Sequence, residues 1–328
     1  MSSSDPDAAD EYDIHGNRLD VRGPTEVRDA LKVRLGSFVG GDGPPALDVR
    51  FLEGLRLERP AGKSRPVYDT PHGSVDYYPA NDELWAELAG VQMHCEPTRG
   101  RALFAAGTFR GELLYLATHP LMTICLMELF KRRARYPLHA GALADQAGRG
   151  VLLAGPSGAG KSTLTIALVR AGLGFLSDDI VFLEQQPDAV DVLAFPDALG
   201  VTEGTRRMFP ELSAPDGQSV TGFPKRLRRV EDVWDVAMPD RCRAELLLFP
   251  EIVPGASGLV PLPPGDALLR LTPDVLLTQR AASQEHLRAV GALLEQVSCY
   301  RILSGPQLDA TARVVRDLLR RRRQNDCD

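Results

Sequence analysis

The sequence predicts an α/β core over residues 136–320, preceded by a smaller β-rich or α+β domain over 17–115. Three observations predict it. The strand-length apolar run Gly150–Ala154 leads into a glycine-rich turn and then into Ser162–Gly172, which has helical apolar spacing and a glycine stop. Strand-length runs follow that helix at Gly174–Asp179, Ile180–Glu184 and Asp191–Phe195. From Asn17 to about Arg110 the apolar runs are short instead, and lie between Gly, Pro, Asn and Asp clusters.

Composition bounds the function. At about 150 residues per domain, 328 residues make about two domains. With 44% hydrophobic and 25% charged residues, the chain is neither fibrous nor mostly disordered. A net charge of −6 excludes a general nucleic-acid coat, which needs a basic face. Of 38 cationic residues only five are lysines (Lys32, Lys63, Lys131, Lys161, Lys225), so each lysine is informative where arginine is the default. Cys95, Cys125, Cys242, Cys299 and Cys327 are scattered, odd in number and lack a CxxC pair. They predict neither a disulfide framework nor a zinc site, and fit a reducing cytoplasm.

The elements follow in order. Residues 1–16 read as a flexible acidic tail, and 1–13 have neither the basic nor the apolar region of a signal peptide. Val49–Leu57, Ser74–Tyr78 and Arg101–Gly107 read as strands, and His15, His72 and His94 as isolated structural histidines. Leu113–Phe130 approaches a membrane span in length, but contains His119, Pro120 and Glu128. A buried helix starting near Pro120 is expected, within a connecting helix over 116–135. Strands are expected at Ala244–Pro250 and Cys299–Gly305, and helices at His286–Val297 and Ala310–Arg323. Arg320–Arg323 suit the negative end of the last helix dipole, and 321–328 read as a basic, polar tail.

Gly155-Pro156-Ser157-Gly158-Ala159-Gly160-Lys161-Ser162-Thr163 contains G-x-x-x-x-G-K-[ST] in its required context, between a strand and a helix. Glycines let backbone N–H groups turn inward around phosphate oxygens, and the helix adds its positive end. Lys161 is expected on the β and γ phosphates, and the Ser162 hydroxyl on Mg²⁺. The loop spelling is shared with ABC-type ATPases, and Leu303–Gln307 (LSGPQ) superficially resembles their signature. No long apolar strand ending in Asp-Glu follows it, so it reads as a turn at a strand end.

Asp178 and Asp179 lie 17 and 18 residues after Lys161. That distance fits a helix of about three turns, a tight turn and a strand returning beside the first. Adjacent side chains on an extended segment point to opposite sides. One carboxylate can then serve Mg²⁺ and the other an incoming hydroxyl, as phosphoryl transfer to an alcohol requires. His139, 22 residues before Lys161, would sit at the sheet edge near the site if His139–Leu143 and Gly150–Ala154 are neighbouring strands.

His139-Ala140-Gly141, the glycine loop, Arg170-Ala171-Gly172 and Ser177-Asp178-Asp179 together resemble the catalytic domain of HPr kinase/phosphorylase and its HPr-kinase-like relatives. The matching stretch covers roughly residues 136–184. The resemblance implies a mixed sheet with a phosphate loop, shared with phosphoenolpyruvate carboxykinase, and ATP-dependent phosphorylation of a serine hydroxyl. It implies Lys161 on phosphate, Ser162 and Asp178 on magnesium, Asp179 as the acceptor of the serine proton, and His139 as the active-site histidine. A later acidic magnesium ligand is matched in distance by Glu203, and a catalytic arginine has Lys225, Arg226, Arg228 and Arg229 as candidates. The first 115 residues do not resemble the N-terminal domain of the bacterial enzyme. The expected substrate is therefore a peptide or small protein, such as a precursor peptide of a lasso-peptide cluster, recruited by the N-terminal domain. A small-molecule alcohol kinase and a non-catalytic ATP-binding module are the alternatives. Neither nucleic acid nor membrane is an expected partner, and homo-oligomers are.

Overall fold

Alternation of exposed and buried side chains begins at Glu11, in the first strand described. The computed structural model describes residues 9–40, 47–70, 73–213, 218–219 and 226–325. The chain divides into two units. One holds the residues up to Arg135 together with Leu276–Glu285, and the other most of Tyr136 onward.

In the first unit, β1 (Ala9–Ile14) and β2 (Asn17–Arg22) form a hairpin whose two-residue turn, His15–Gly16, has both φ angles positive. This corrects the expected flexible tail over 9–16, while its residues 1–8 lie outside the described residues. Acidic residues alternate with Tyr12 and Ile14, which are buried, so period-2 patterning overrides the acidic composition. Helix α1 (Thr25–Leu35) buries Val27, Leu31 and Leu35. There follow β3 (Leu47–Glu53), β4 (Arg65–Thr70), β5 (Gly73–Tyr78), β6 (Glu83–Leu88), β7 (Val91–Glu96) and β8 (Arg101–Ala106). The eight strands form one sheet in the order β1-β2-β3-β8-β7-β6-β5-β4, with β3 parallel to both its neighbours.

The long apolar stretch starts earlier than expected, as α2 (Gly111–Leu116), a π-turn at Ala117–Leu121 and α3 (Met122–Lys131). Pro120 interrupts the helix rather than starting it. It lacks an N–H, and the wider turn absorbs the mismatch. Arg34 donates to Thr118 O at 2.5 Å, to His119 O, and to Thr123 Oγ1 at 2.6 Å, satisfying backbone oxygens within the turn. Gly111–Lys131 is long and apolar enough to cross a membrane, but 67% of its most apolar window is buried inside the structure. It also carries a buried ion pair. Lys131 Nζ lies 2.5 Å from Glu128 Oε1 and donates to Leu276 O at 2.7 Å. Thr278 Oγ1 donates to Glu128 Oε2, and Arg132 reaches both Glu128 and Asp82. Burial lowers the Lys131 pKa, and Glu128 opposes that shift.

The second unit is built on β9 (Tyr136–Ala144), β10 (Arg149–Ala154), α4 (Lys161–Arg170), β11 (Gly174–Ser177), β12 (Ile180–Gln185) and β13 (Val190–Leu193). A small three-stranded sheet follows, with β14 (Leu199–Val201), α5 (Glu203–Met208), β15 (Gln218–Ser219) and β16 (Arg226–Arg228). The chain continues through β17 (Arg241–Ile252), β18 (Gly258–Pro261), α6 (Pro264–Leu271), α7 (Arg280–Gln296, of which His286 onward belongs to this unit), β19 (Ser298–Ser304) and α8 (Leu308–Asn325). Helix α8 includes residues 321–325, so the expected tail is corrected there to helix.

The main sheet of this unit is mixed: β10 and β19 run parallel to β17, and β9 runs antiparallel to β10, β11 and β12. Ladders β10–β9, β9–β12, β12–β13, β13–β17 and β17–β10 close on themselves. Strand β11 does not pair with β10, as expected, but with β9. Both edges of β10 are already taken, by β9 and β17. His139 itself pairs with Ile180 of β12, and the β10–β9 ladder ends one residue away, at Ala154 and Ala140. Even-numbered residues of β9 (Leu138, Ala140, Ala142) pack in one core cluster with Ala289, Val290 and Leu293 of α7. Leu143 packs in the other cluster, with Leu164, Ile166 and Leu168 of α4. The sheet therefore has a helix-covered core on each face.

Candidate active site

Strand parity puts His139 and Gly141 on the face of β9 that α4 covers. A Cβ on Gly141 would lie 3.1 Å from Thr165 Oγ1 and 3.5 Å from the backbone oxygens of both Ser177 and Asp178. A side chain there would press on the Thr165 hydroxyl and touch the two backbone oxygens at ordinary contact distance, so α4, β9 and the β11–β12 chain lie close together at this glycine. Thr165 is one helical turn beyond Lys161, so the same contact orients the start of α4.

The glycine loop leaves β10 at Ala154, which pairs with Ala140 of β9. On the other edge of β9, Ser177 pairs with Ala142 and Ile180 with His139. Asp178 and Asp179 are thus a break between two strands, opposite Ala140–Gly141. Loop, His-Ala-Gly segment and Asp pair lie in one row across three strands, about 10 Å wide at the usual strand spacing.

Gly155, Gly158 and Gly160 have φ of 137°, 82° and 97°, which L side chains rarely adopt, and these turn the loop onto α4. Pro156, Ser157 and Gly158 are exposed, and Ala159, Gly160, Ser162 and Thr163 half-buried. Lys161 is buried, and its Nζ donates to Gly155 O at 2.6 Å, inside the loop's own curve. His139 Nε2 lies 3.0 Å from Asp179 Oδ1, with side chains 30% and 66% exposed. Asp178 is buried. The two carboxylates therefore differ in environment, although they lie in a bend between two strands and not on the extended segment expected.

The other candidates stand apart from this row. Glu203 begins α5, behind the Thr202 cap, and its exposed carboxylate pairs with Arg206 and Arg207. Its strand β14 does pack with α4 in one core cluster. Arg229 pairs with Glu231, and Arg228 is half-buried. Lys225 lies outside the described residues, as does His72, and the side chain of Arg226 is not described. Among the described residues no three His, Cys, Asp or Glu side chains converge as a metal site. Mg²⁺ does not need such a cage. It is held by one or two protein oxygens together with phosphates and water, and a hydroxyl plus a carboxylate is that donor set. Sequence reasoning missed the Gly141–Thr165 contact, although the glycine of His-Ala-Gly is its trace. It also missed Ile252, at the end of β17, against Gly160.

The fold and site define an α/β protein whose glycine loop, lysine and paired aspartates share one side of a mixed sheet. Comparison with known proteins gives a local match of the same kind. HPr kinase/phosphorylase of Chlorobium phaeovibrioides is 37% identical over 59 residues, 18% of each chain. That of Chlorobium limicola is 34% identical over 94 residues, 27% of this chain and 28% of the other. HPr(Ser) kinase/phosphatase from Coxiella burnetii aligns in structure over 58% of this chain and 94% of its own, with a TM-score of 0.33 and 15% identity. No family model matches. The chain thus spans under a third of the length of these curated relatives, and the HPr-kinase-like resemblance read from the motifs is present as a segment.

Proposed function

We propose that this protein is a Mg-ATP-dependent kinase that transfers the γ-phosphate to a serine hydroxyl of a peptide or small protein. The reading rests on one observation: the glycine loop, His139 and the Asp178–Asp179 break occupy adjacent strands in a single row. The local likeness to HPr kinase/phosphorylases supports the same reaction class.

The loop N–H groups and Lys161 would hold the β and γ phosphates. Ser162 and Asp178 would hold Mg²⁺, and Glu203 could join them only by leaving its arginines. Bound Mg²⁺ would neutralise charge on the phosphate oxygens. The exposed Asp179 would take the serine proton as the serine oxygen bonds to the γ-phosphorus. The bond from that phosphorus to the bridging oxygen breaks, and ADP leaves. His139, 3.0 Å from Asp179, would orient the carboxylate. A water-using ATPase needs only a positioned water, so the second carboxylate favours an alcohol acceptor.

Mg-ATP was the expected cofactor and remains the proposed one, with a cytoplasmic setting where it is abundant. The proposed partner is a serine-bearing peptide, such as the precursor of a biosynthetic cluster, and the chain can act as a homo-oligomer. Incubation with Mg-ATP and candidate serine peptides, read by mass spectrometry, should show a gain of one phosphate. Nucleotide binding without transfer to any serine peptide would overturn the reading.

A further inference from the structure

The row just described uses one side of β10 only. On its other side β17 runs parallel, with Leu153 paired to Leu248, and continues to Ile252 beyond the point where β10 gives way to the loop. The end of β17 therefore stands beside the loop. A Cβ built on Gly160 would lie 3.4 Å from Ile252 Cγ1, so the isoleucine rests against the residue before Lys161. Ile252 is nevertheless 71% exposed, an isolated branched apolar side chain facing solvent at a phosphate-type loop.

The chain beyond it is held firmly. Val253 N donates to Ser304 O at 3.0 Å, and Gly305 N to Ser257 Oγ at 3.2 Å. A Cβ on Gly305 would fall 2.3 Å from Gly255 O, so two backbones touch there. Ser257 Oγ is also 2.7 Å from Thr311 Oγ1. Strands β10, β17 and β19 are parallel, so their carboxyl ends lie on one edge of the sheet, where ligands of α/β proteins bind.

Direction follows from this order. The carboxylates that would meet the reacting phosphate are on the β9 side of the loop. The flank over the end of β17 is left for the rest of a nucleotide. We infer that Ile252 is the apolar shelf for the base of a nucleoside triphosphate, with 253–257 as its rigid rim. The inference rests on the kinase reading only in requiring that the loop hold phosphates.

The test is equilibrium binding of Mg-ATP and, separately, of inorganic tripolyphosphate with Mg²⁺, to the full chain. Wild-type protein should bind ATP more tightly than tripolyphosphate. Ile252→Ser should weaken ATP about five- to ten-fold, the value of one apolar side chain, and leave tripolyphosphate unchanged. Ile252→Leu should restore ATP binding. Equal losses for both ligands, or no loss of ATP, would overturn the shelf. So would equal wild-type affinity for the two ligands, while leaving the phosphate-loop reading intact. Wild-type protein that binds neither removes the phosphate-loop reading and this inference with it.

Discussion

Two clusters in this protein pair carboxylates with cations, and they differ in access to water. In the first unit Glu128 and Lys131 are both 0% exposed and are joined by Arg132, Asp82 and Thr278. In the second unit His139 and Asp179 are 30% and 66% exposed. Charges sealed from water must be matched internally, because each lost partner leaves a buried charge. Such a cluster holds structure and is closed to a substrate. The half-open pair can exchange a proton with an arriving group. Beside a glycine loop, that difference suits it to the reaction proposed above.

The sharpest way to break this comparison is Asp179→Asn. Loss of the proton acceptor should lower phosphate transfer by about 10²–10⁴-fold and leave ATP binding nearly intact, measured by single-turnover transfer and by calorimetry. Unchanged transfer would remove Asp179 from its assigned role. In the sealed cluster the loss should appear in stability instead. Glu128→Ala should lower unfolding free energy by about 3–5 kcal/mol, because Lys131 is left buried and unpaired. The pair Glu128→Gln with Lys131→Met should recover much of it. Chemical denaturation reads both, and equal midpoints for wild type and Glu128→Ala would show the cluster to be dispensable.

Gly141→Ala is a smaller change that reaches both properties. Crowding against the Thr165 hydroxyl should cost about 1 kcal/mol and lower transfer as α4 shifts. A variant with wild-type melting and rate would deny the close approach its importance. His139→Asn should slow transfer by about ten-fold, the worth of one hydrogen bond to a charged group, with no change in melting temperature. The smallest effect is expected at the thiols. Burial pushes Cys242 up to about 12 and Cys299 up to about 11. At about pH 8 the reactive thiolate is scarce, so iodoacetamide should leave both unmodified until the protein unfolds.

Much of the site was legible because its chemistry is local. The loop spelling needs only consecutive residues, and its strand and helix flanks show as runs of five to eleven residues in Gly150–Gly172. Asp178 and Asp179 could be placed near it because one short helix and one turn leave the chain little choice. What escaped was non-local. Strand β11 joins β9 because both edges of β10 are filled, one of them by β17, roughly ninety residues later in the chain. Pro120 reads as a helix start in isolation, and becomes a π-turn inside a longer helix where Arg34 satisfies its carbonyls. Residues 9–14 look acidic and loose until Tyr12 and Ile14 find a core.

By itself the sequence determined the identity of the phosphate-type loop, the Asp pair and the helices and strands that carry them, since backbone preference and short-range spacing decide these. The tertiary structure alone decided that His139 meets Asp179, that Gly141 faces Thr165 closely, that Lys131 is a buried structural lysine, and that Ile252 stands exposed beside Gly160. Each of these depends on which elements become neighbours. That choice is made by competition for sheet edges and core volume across the whole chain, which no local pattern records.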